Sequence, residues 1–170
     1  MNVSFTKRDP INTTVMDDGT GHMLYDVFTA PWWHLGVSTT TIIDTGGHVV
    51  AEYERRLVGY DRVKLHGITT RMLDWLPRRN WWSSDRMLTT PDGQVYVWKS
   101  KWNNTFKLYP VDSNVLVVET HNASWGFLNP SHRGGMSVHP ELTPFLVDIL
   151  LSFIICERER RAKEAARKSD

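Results

Sequence analysis

The chain lacks a second cysteine: Cys156 stands alone, which excludes a disulfide framework and any cysteine-pair metal site. It lacks an excess of charge, because 20 Lys and Arg face 19 Asp and Glu for a net +1, so a bulk nucleic-acid signature is absent and any anion site must be local. No run of apolar residues is long enough for a bilayer. The longest, 145–156 (FLVDILLSFIIC), has about a dozen residues and makes roughly 18 Å of helix, where a membrane span needs about 20 residues. Its Arg-rich sequel, Arg158 to Lys163, also has the wrong flank for an anchor. Residues 1–10 hold Lys7, Arg8 and Asp9 but no apolar signal core, so a cytoplasmic location is expected and the four Asn-x-Ser/Thr sequons carry no meaning. Internal repeats and low-complexity tracts are missing too.

Catalytic signatures are equally scarce. Seven histidines include no pair at i,i+4, and there is no His-Glu zincin pair, Gly-x-Ser-x-Gly elbow or Gly-rich phosphate loop. Ser83 and Ser84, next to Trp82 and Asp85, read as turn caps. No cofactor and no metal are expected. An enzyme is the least supported reading, and Cys156, set within an apolar run, reads as a small buried hydrophobe.

What is present begins with that run. Pro140 and Pro144 permit a helix only if they lie in its first turn, which predicts a helix over about 143–162. Phe145, Leu146, Val147, Ile149, Leu150, Leu151, Phe153, Ile154 and Ile155 occupy all sides of its wheel, and a helix apolar all round must be enclosed. Strands supply the enclosure. Residues 23–29, 38–44, 49–56, 62–66, 86–90, 94–100, 105–109, 115–120 and 136–138 alternate or are β-branched, with turns at Asp44-Thr-Gly-Gly47 and Pro91-Asp-Gly93. The expected fold is therefore mainly β, about 9–12 antiparallel strands forming a barrel around one C-terminal hydrophobic helix. A single domain over residues 1–162 is followed by a charged helical tail, 163–170, with Glu157–Arg161, Glu159–Lys163 and Glu164–Lys168 spaced to pair.

The stretch 81–99 (WWSSDRMLTTPDGQVYVWK) resembles the most characteristic block of a family of small basidiomycete proteins known as a domain of unknown function. The similarity extends to 39–55 (TTTIIDTGGHVVAEYER), 74–77 (DWLP) and the terminal helix, and so covers most of residues 20–162. In architecture, many strands before a hydrophobic helix resembles the tubby C-terminal class, with LURP-one-related proteins and phospholipid scramblases. That resemblance implies about twelve strands around a central helix, and lipid or phosphoinositide handling in some members.

Eight tryptophans, two of the pairs adjacent (Trp32-Trp33 and Trp81-Trp82), are the clearest compositional excess. In extended chain, adjacent side chains point oppositely, so at most one of each pair faces the core. The other either packs under a loop or forms an exposed aromatic platform. Arg78, Arg79, Lys99 and Lys101 flank Trp81 and Trp82, and these six are the candidate ligand-binding residues, for anionic lipid or phosphoinositide headgroups bound peripherally. The expected function is a non-enzymatic intracellular binding module. The alternative is a protein-interaction module using the Trp-rich connection or the charged tail; neither nucleic-acid binding nor a transmembrane span is expected.

Overall fold

The computed structural model describes residues 1–30, 36–101, 103–122 and 133–168. Among these residues twelve strands form a single antiparallel sheet: β1 Asn2–Phe5, β2 Thr13–Asp17, β3 Met23–Thr29, β4 Val37–Asp44, β5 Val49–Arg56, β6 Arg62–Leu65, β7 Ile68–Arg71, β8 Arg86–Thr89, β9 Val95–Ser100, β10 Phe106–Pro110, β11 Val118–His121 and β12 Gly135–Val138. Their spatial order is β7-β6-β5-β4-β3-β2-β1-β12-β11-β10-β9-β8. Each strand follows its sequence neighbour except where β1 meets β12. A short helix α1, Met72–Trp75, follows β7, and a 3-10 turn, Pro140–Phe145, leads into the long helix α2, Leu146–Arg167.

Both prolines lie in the 3-10 turn, so α2 starts a few residues later than the spacing predicts and continues into the charged tail as far as Arg167. Ile149, Leu150, Leu151, Ile154 and Ile155 are fully buried, with Leu146 and Phe153 nearly so and Phe145 half-buried. The sheet curls around them. Phe153 meets Phe5 of β1, Trp98 of β9 and Phe106 of β10 at ring separations of 6.0, 6.4 and 5.8 Å. Polar links orient the helix within this apolar sleeve. The Trp98 indole N–H donates to Ser152 Oγ (2.9 Å), and the Arg158 guanidinium donates to Thr40 Oγ1 (2.7 Å) and Ser38 Oγ (2.9 Å) on β4. Arg86 of β8 is fully buried and pairs with Glu159, while its Nη1 donates to the Leu76 carbonyl (3.0 Å).

The expected barrel is not closed. β7 and β8 end the sheet, and among the described residues they do not pair with one another. The reason is local: Met87 N–H donates to the Pro77 carbonyl (2.8 Å) and Arg78 bridges to Arg86, so an irregular segment after α1 occupies part of the edge that β7 would need. Proline supplies no N–H, and this segment extends the ladder no further.

A meander of antiparallel strands sends successive connections to alternate ends, and α2 labels the two. Thr40, Ser38 and Arg86 mark the end where α2 finishes; His66, after β6, meets Asp148 in the first turn of α2 and marks the other. Connections 18–22, 45–48, 66–67, 90–94, 111–117 and 139–145 lie at the start of α2 and contain no Lys or Arg, but do contain Asp18, Asp92, Asp112 and Glu141. Connections at the finishing end carry Lys7, Arg8, Arg78, Arg79, Lys101 and Arg133 against Asp9, Asp61, Asp74 and Asp85, beside the mixed charges of the tail, so this end keeps a basic excess where the other has only acids among its Lys, Arg, Asp and Glu. The molecule is electrically polar along its helix.

Candidate functional site

The loop from α1 to β8 carries four of the six candidate residues. It closes on itself through Arg79 N–H to the Asp85 carbonyl (3.0 Å), Ser83 N–H to the Asn80 carbonyl (3.2 Å) and Asp85 N–H to Ser83 Oγ (2.9 Å). Ser83 therefore makes the turn, as its setting suggests. At its tip Trp81 is 82% and Trp82 70% exposed, packed only edge-to-face on each other at 5.1 Å. Neither ring faces the core, because residues 80–83 form a turn and not the extended chain that would split them. Arg78 and Arg79 are exposed below this tip and, among the described residues, form no salt bridge. The other adjacent pair, Trp32-Trp33, lies outside the described residues.

Lys99 and Lys101 do not join them in one pocket. Lys99 is half-buried, its Nζ 4.9 Å from the centroid of Tyr109, while Lys101 lines an open groove of about 790 Å³ on the outer face of the sheet. That groove runs across β10, β11, β12 and β1, where register places Lys107, Glu119, Ser137 and Asn2 in one row. Lys107 and Glu119 neutralise each other at 2.8 Å, leaving Lys101, Arg133 and His121 as its basic wall. Both groups lie at the end where α2 finishes. A second apolar tip stands there too: Leu57 and Val58 are 76% and 85% exposed in the connection from β5 to β6, beside Tyr60, whose ring carries Arg71 at 4.4 Å.

A family model for a family of unknown function, DUF6593, matches residues 8–162. The chain belongs to this family. No curated protein and no solved structure matches it. The DUF6593 match spans everything from the turn before β2 to the last enclosed turns of α2. Much of the Trp81–Lys99 block proves structural: Arg86 and Trp98 hold α2, and Gly93 takes the positive φ of 84° that its turn requires. Cys156 is buried and its thiol is pushed well up by desolvation, which suits packing and not nucleophilic chemistry.

One constellation escaped sequence reasoning. In the slot between the free edges of β7 and β8, the Asp148 carboxylate, 3% exposed, receives His66 Nε2 at 3.1 and 3.2 Å. Burial raises the Asp148 carboxyl above the ordinary range more than the nearby imidazole lowers it. The available signals were slight: an acid interrupting an apolar helix, and a His-Gly turn in which both residues take positive φ, 52° and 77°.

Proposed function

We propose that this protein is a non-enzymatic, peripheral binder of anionic membrane surfaces, docking with the end of the sheet at which α2 finishes. The observation that carries the reading is the coincidence, at that one end, of the exposed Trp81-Trp82 tip with the basic connections. Indole rings favour the boundary between headgroups and acyl chains, and arginines beside them meet phosphates. In this reading Trp81 and Trp82, supported by Leu57 and Val58, enter the boundary region. Arg78 and Arg79 contact headgroups, and Lys101 with Arg133 offers a second contact. Among the described residues no helix is long and apolar enough to cross a membrane, which fits docking through loops. A sheet curled about a hydrophobic helix also supports kinship with the tubby C-terminal class, although the closed barrel of that class is missing here.

Flotation with phosphatidylserine or phosphoinositide vesicles, against phosphatidylcholine alone, tests the proposal. Wild type is expected to float with anionic vesicles at low salt and to be released by high salt or carbonate. Trp81→Ala/Trp82→Ala should weaken flotation and Arg78→Glu/Arg79→Glu abolish it, each with an almost unchanged melting temperature because the residues are exposed. Indifference of wild type to anionic vesicles at low salt would remove the proposal, as would early melting of the charge-reversed variant.

A further inference from the structure

The slot between the sheet's two edges lies at the opposite end of the molecule from the proposed docking surface and shares no residue with it. It encloses about 450 Å³, within the size range of small-molecule pockets. Val63, Leu65, Ile68 and Trp75 give it an apolar lining, with Asp148 at the bottom and His66 at the mouth. Ile68 is 67% exposed although it lies beside the opening, an apolar side chain left in water by the unclosed edge.

Two features define the ligand. First, the Asp148 carboxylate can accept about four hydrogen bonds, while among the described residues the only side chain that reaches it is His66, through a single ring nitrogen shared between both oxygens, beside Asp148's own backbone N–H. Acceptor capacity is left over at the foot of an apolar cavity. Second, among the described residues neither Lys nor Arg lines the slot, and the connections around its end hold Asp and Glu but no Lys or Arg, His66 at the mouth being the one imidazole in the lining. An anionic head would meet the Asp148 carboxylate with no Lys or Arg to offset it; a cationic head finds a carboxylate and an attractive field. We infer that this slot is a binding site for a small organic cation, a primary ammonium on an apolar chain or ring, with the ammonium on Asp148 and the apolar body between β7 and β8.

The test uses three probes of one chain length, octylammonium, octanoate and octanol, titrated calorimetrically into the full chain at neutral pH. Octylammonium is expected to bind saturably and at least about tenfold more tightly than octanoate, the scale of one charged hydrogen bond. Asp148→Asn keeps an acceptor for His66 and is expected to lose about tenfold in octylammonium affinity while leaving octanol unaffected. Thr70→Trp, which fills the slot from β7, should abolish binding of both. The comparison of probes on wild type stands even if a variant fails to fold. Octanoate binding as tightly as octylammonium, an undiminished amine affinity in Asp148→Asn, or no saturable octylammonium binding at millimolar concentration would each overturn the assignment.

Discussion

Removing Glu159 should destabilise this protein far more than removing Glu164, although both are glutamates on α2 that pair with arginine. Glu159 is 24% exposed, but its partner Arg86 is 1% exposed and enclosed by β8, the Leu76 carbonyl and the helix. Glu164 is 47% exposed and pairs with Arg160, itself 22% exposed (2.8 Å), and with Lys168, 75% exposed (3.2 Å), each one turn away on the same surface. Glu→Ala has the same intrinsic helix effect at both sites, so it cancels in the comparison. Breaking a buried pair leaves an uncompensated charge, at about 3–5 kcal/mol, whereas solvent-screened i,i+4 pairs such as the two that Glu164 makes contribute little. Arg86 keeps one hydrogen bond to Leu76, which places Glu159→Ala near the lower end, about 3 kcal/mol.

Urea unfolding followed by tryptophan fluorescence measures both, with a constant slope confirming that the transition remains two-state. A coupled variant sharpens the test. Arg86→Met added to Glu159→Ala removes the stranded cation, and the double variant should be more stable than Glu159→Ala alone. Equal losses at Glu159 and Glu164, or a double variant worse than the sum of its parts, would refute the claim that Arg86 carries a buried charge held by the helix.

Leu150→Asp places a carboxylate in a fully enclosed position and should abolish the cooperative fold, visible as lost near-ultraviolet dichroism. Gly135→Ala should cost about 1–3 kcal/mol in urea unfolding, because an added methyl overlaps the Val3 carbonyl oxygen where β12 pairs with β1. Asp148, whose carboxyl is raised by burial, contributes stability below about pH 4 that is lost as pH rises through its folded-state value. Asp148→Asn should therefore melt above wild type at neutral pH, with the advantage shrinking as pH falls toward 4; a constant difference would contradict a raised carboxyl.

The helix was the most legible element, because apolar residues on every side of Phe145–Cys156 leave enclosure as the only inexpensive arrangement. Its enclosing strands were read wherever β-branched runs met Gly-containing turns, as in 23–29, 38–44 and 49–56. β1 and β2 escaped because each is short and at least half polar, with only Val3 and Phe5, or Thr13 and Val15, turned inward. Barrel closure was misjudged for a different reason. It depends on whether two distant edges can meet, and the segment around Pro77 that takes up β8's edge shows no period at all. Of the expected helix-surface pairs, Glu157–Arg161 (2.7 Å) and Glu164–Lys168 (3.2 Å) form, but Glu159 turns inward to Arg86, a partner that helical spacing cannot indicate.

The candidate surface shows how one local omission propagates. Composition names the Trp and Arg residues, but which end of the molecule they occupy is a matter of parity: in a meander each strand reverses the chain, so a miscounted strand moves every later connection to the wrong end. β7, four residues long and largely exposed, is the strand that a sequence reading passes over. Without it, the connection from β6 to β8 would seem to leave from the acidic end, putting Arg78, Arg79, Trp81 and Trp82 among Asp18, Asp92 and Asp112. With β7 in place the same loop lies beside Lys101, Arg133 and the finish of α2. Charge polarity is thus a property of strand count as much as of residue choice, because the sequence sets the composition of each connection and the reversals decide which connections share a surface.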